Sequence, residues 1–95
     1  MKIVKYLIQL RQSKDKLLEA ALEHMRTALD RNLESRGEVA ADTVDCQEYV
    51  GDILTAQGNF AEALDAYLAA DRMASALLGE DSPRAVEIRR KMDRA

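Results

Sequence analysis

Slid against itself, the chain matches at one offset, 42 residues. Ala21 falls on Ala63, Leu22 on Leu64, Ala28 on Ala70, Gly37 on Gly79, Glu38 on Glu80 and Val44 on Val86. Glu23 meets Asp65, Asp45 meets Glu87, and Met25 meets Tyr67, which keeps a bulky apolar group. Alanines recur where two helices would approach closely, and glycines recur where a helix would end. A period of this length marks a repeated two-helix unit, and it constrains the chain to hairpins stacked side by side. The 95 residues hold about two such units.

Apolar spacing divides the chain into helices at about 2–13, 15–36, 42–57, 60–78 and 83–94. In the first, Val4, Leu7 and Ile8 share a stripe. Its β-branched residues also fit a strand, but a lone strand has no partner here, so helix is preferred. Ser13-Lys14-Asp15-Lys16 is expected to break the chain, with Asp15 as the N-cap of the second helix. That helix carries Leu17, Leu18, Ala21, Leu22, Met25, Leu29 and Leu33, and ends near Gly37. The third starts near Asp42 or Thr43. The fourth runs from Phe60 to Leu78. Ser82 is a natural N-cap for the fifth, and Pro83 suits its first position, where a missing N–H costs nothing. Glycine (4) and proline (1) are scarce, which agrees with an all-α fold rather than one built on many tight turns. The expectation is a single all-α domain over 1–95, with unit 1 at about 2–37, unit 2 at about 43–79 and a capping helix at 83–94.

The residues around the second unit carry a family resemblance. Val50-Gly51, then Leu54, then Gly58-Asn59-Phe60, then Ala63, Tyr67 and Ala70 resemble a tetratricopeptide (TPR) repeat. Leu78-Gly79-Glu80-Asp81-Ser82-Pro83-Arg84-Ala85-Val86 looks like the linker of the kinesin light chain-type repeat, whose period is also 42 residues. The resemblance implies that Gly51 lets the second helix pack close, that Phe60 and Tyr67 fill space between helices, and that Ala63 and Ala70 permit near contact. The first unit departs from the pattern, with Lys16 at the turn glycine, Leu18 at the aromatic and Gln9 at the small residue of the first helix.

No catalytic, cofactor or metal constellation stands in the sequence. There is no glycine-rich phosphate loop, and the single histidine, His24, and single cysteine, Cys46, lie in different helices. Cys46 reads as a small residue packed between helices, and His24 as part of a solvated face. Asp45 with Glu48, and Glu48 with Asp52, sit at helical spacings common on exposed helices. The expectation is therefore a non-enzymatic chain without cofactors.

Charge is uneven. Residues 1–16 hold five Lys/Arg and one Asp, residues 17–79 four Arg and twelve Asp/Glu, and residues 80–95 five Lys/Arg and four Asp/Glu, giving −3 in total. An acidic balance without a basic stripe disfavours a nucleic-acid partner. The N-terminal segment is too broken for a signal peptide and too short to span a membrane. With one cysteine, the expectation is a cytoplasmic protein.

What remains is surface. The TPR resemblance implies a groove lined by the first helix of each unit, at Tyr6 and Leu10, then Asp45, Glu48, Tyr49 and Asp52, then Arg90 and Arg94. It implies capture of a partner protein's peptide or helix, and the acidic centre favours a ligand segment carrying lysine or arginine. The alternatives are a small inhibitor, adaptor or chaperone acting through an outer face, and a fragment of a longer repeat protein. Residues 3–10 are apolar most of the way round, which predicts a homodimer through this helix or docking on another protein.

Overall fold

The glycines paired by the 42-residue offset both close helices, in the left-handed backbone region that a side chain disfavours, with φ of 78° at Gly37 and 98° at Gly79. Ser82 caps the helix that follows, its Oγ accepting from the Ala85 N–H at 3.2 Å. The computed structural model describes residues 2–94. It contains four helices: α1 (Lys2–Arg36), α2 (Ala41–Ala56), α3 (Phe60–Leu78) and α4 (Pro83–Arg94), with no strand among the described residues. Each helix packs on the next, α1 on α2, α2 on α3 and α3 on α4. Loops of three or four residues make consecutive helices antiparallel neighbours.

The expected five helices are four, because the chain does not break at 13–16. Helices 2–13 and 15–36 are one helix of 35 residues, and Asp15 lies inside it rather than capping it. The segment Ser13-Lys14-Asp15-Lys16 has no glycine to turn the chain and no proline to remove a hydrogen bond, so nothing in it outweighs helix propagation. The first hairpin expected over 2–37 is therefore absent, while the third helix, expected at 42–57, is observed at 41–56. At 1.5 Å per residue α1 is about 50 Å long, and it sets the longest dimension of the molecule, 54 Å. The 16 residues of α2 can flank less than half of it. Residues 2–17 are exposed throughout; Leu10, Arg11, Lys14 and Asp15 stand beside the α2–α3 turn, and the residues before them project beyond it.

The core sits between α2, α3 and α4. Val44, Val50, Leu54, Ala63, Tyr67, Ala70, Met73, Ala85 and Ile88 are among its buried residues. No residue of α1 is fully buried, but Leu22, Met25, Leu29 and Leu33 pack one stripe against this cluster. Cys46 is buried, as expected, and accepts a hydrogen bond from the Asn32 amide of α1 at 3.3 Å. Thr43 Oγ1 donates to the Gly37 carbonyl at 2.8 Å, which ties α2 to the preceding loop.

Two aromatic expectations separate. Tyr67 is buried, whereas Phe60, at the first position of α3, stays half exposed. Phe60 faces the cleft that Leu10, Arg11, Lys14 and Asp15 of α1 form with the α2–α3 turn, so the continuous α1 leaves no second helix over it. Ala63 and Ala70 are fully buried, as their small size allows. At Gly51, α2 lies directly against the Tyr67 ring of α3. A Cβ there would lie 2.6 Å from Cε1 of Tyr67. Gly51→Ala is therefore expected to lower the unfolding free energy by about 1–3 kcal/mol, the usual cost of overpacking. Urea denaturation followed by circular dichroism checks this, and a midpoint equal to wild type would show that the Tyr67 ring yields freely.

Candidate functional site

Helical spacing places Asp45, Glu48 and Asp52 along one face of α2, at positions i, i+3 and i+7. Arg84 and Lys91 stand seven residues apart on α4, two turns, so they share a face as well. The two faces meet. Glu48 is at the centre and nearly buried, with both carboxylate oxygens engaged: Oε1 accepts from Arg84 Nε at 2.8 Å and Oε2 from Lys91 Nζ at 2.5 Å. Arg84 also donates to Asp45 through Nη2. Lys91 Nζ lies 3.1 Å from each oxygen of Asp52. Tyr67 reaches across from α3 and donates its hydroxyl to Asp52 Oδ1 at 2.5 Å. Three carboxylates and two cations make a five-member network with one net negative charge. A separate pair, Arg89 and Asp71 at 3.2 Å, fastens α4 to α3.

These contacts set the proton affinities. Burial pushes the Tyr67 hydroxyl above its ordinary 10.0, and donation to Asp52 pushes it further. Burial alone would lower Lys91, but its hydrogen bonds to Glu48 and Asp52 outweigh that and hold it above 10.5. Burial likewise opposes the charge on Arg84, and the hydrogen bonds to Asp45 and Glu48 more than restore it.

The expected site residues therefore divide. Asp45, Glu48 and Asp52 come together, and Tyr49 stands exposed on the same helix. Arg90 does not join them: it pairs with Glu87 on its own helix at 3.5 Å. Arg94 is exposed in the last turn of α4. Tyr6 and Leu10 belong to the projecting half of α1, with Leu10 at the cleft beside Thr55–Phe60. The cations that do meet α2, Arg84 and Lys91, were not among the expected site residues. The signal for them was present in the sequence: acidic positions at i, i+3, i+7 on one helix and basic positions at i, i+7 on the next but one. Of the nucleophile and base candidates, Cys46 is buried beside Asn32 and His24 is exposed. No group of three or more His, Cys, Asp or Glu among the described residues is placed to hold a metal ion. No helix among them is long and apolar enough to cross a membrane.

No protein-family model matches the chain, and no curated protein or solved structure matches it significantly.

The raised proton affinities of Lys91 and Tyr67 fix the sign of a pH effect. Both groups bind their proton more tightly in the folded chain than in the unfolded one. Their contribution is complete below about pH 10 and is lost as pH rises through the folded values. Stability measured by denaturant titration should thus fall from pH 10 upward, and Lys91→Met with Tyr67→Phe should flatten that fall. An equally steep fall in the double variant would place its origin elsewhere.

Proposed function

We propose that this chain is a non-enzymatic protein-binding module of tetratricopeptide-like type, which receives a peptide or helix of a partner protein along the face formed by α2 and α4. The observation that carries this reading is the α2–α4 charge network with Tyr49 beside it. Asp45 and Asp52 keep about two-fifths of their side-chain surface open at the rim while Glu48 is held underneath. The network holds these side chains in place before a ligand arrives, which lowers the ordering cost of binding. An exposed tyrosine supplies the aromatic contact that such interfaces favour. A lysine or arginine on the ligand would meet the one negative charge that the network leaves over.

A second reading has its own observation. Phe60, Leu64 and Leu68 lie four residues apart on α3 and are all exposed, an apolar stripe suited to an inhibitor or adaptor that acts through an outer face.

Affinity capture from the native host separates the two. Wild type is compared with Tyr49→Ala/Asp45→Ala and with Leu64→Ser/Leu68→Ser. Glu48 is left alone, because removing it would take from Arg84 and Lys91 the buried carboxylate that they share. The α2–α4 reading expects the first double variant to lose the captured protein at least about tenfold and the second to retain it. The opposite pattern selects the α3 stripe. Full retention by both variants rejects both faces.

A further inference from the structure

We draw no further inference here: the strongest candidate, the exposed apolar face that Ile3, Tyr6, Leu7, Ile8 and Leu10 form on the projecting half of α1, carries nothing because nothing in the structure shows what covers it.

Discussion

The contact between Gly51 and Tyr67 governs the arrangement of the other helices. A residue without a side chain lets α2 close on the ring of Tyr67, and the ring in turn delivers its hydroxyl to Asp52. Asp52 is one end of the acidic row on α2, and that row holds α4 through Lys91 and Arg84. One close approach between two helices thereby reaches the third. The apolar core of α2, α3 and α4 provides the driving force, and the polar row sets how α4 lies across α2. A charged surface row that looks like simple solubilising charge in the sequence is part of the scaffold.

The second half of the chain was legible because its signals are local. Gly79, Ser82 and Pro83 each favour one backbone conformation or one hydrogen bond, and they mark the end of α3 and the start of α4 with no information from elsewhere. Buried Ala63 and Ala70 followed from the repeat spacing in the same way. The start of the chain was not legible, because four polar residues at 13–16 suit a turn and a solvated helix equally well. What decides between them is whether a turn has a glycine to make it, and Lys16 stands in that place. The exposure of Phe60 follows from that one difference, since the helix that would have covered it continues straight. Arg84 and Lys91 were hidden for another reason. Their partners are 36 to 43 positions away in the chain, and only the packing of α4 shows which charges face which.

The structure consequently divides into a body and an arm. The body, residues 18–94, keeps its apolar residues largely together and satisfies its buried side chains, with no buried side-chain nitrogen or oxygen unpaired among the described residues. The arm, residues 2–17, is helical and exposed throughout, with Leu10, Arg11, Lys14 and Asp15 edging the cleft beside the α2–α3 turn. Isolated helices of this length are marginal in water. The arm is held as helix by continuity with a stretch that the body anchors through Leu22, Met25, Leu29 and Leu33. Its apolar side chains stay open, while the charge row is occupied by the body's own cations. The two surfaces differ in this physical respect: one is ordered by internal pairing, and the other is an open apolar face.

The central claim is the continuity of α1, and the distance across it is the direct measurement. Spin labels at Lys5→Cys and Ser35→Cys in a Cys46→Ser background, diluted with unlabelled chain so that only pairs within one molecule are read, report this distance by pulsed dipolar spectroscopy. A single helix puts the two positions about 45 Å apart, thirty residues at 1.5 Å each. A hairpin turning at residues 13–16 would fold them back to about 10–20 Å, the spacing of packed helices plus an offset in register. A narrow distribution near the longer value is the result this account predicts, and a population centred on the shorter one would contradict it.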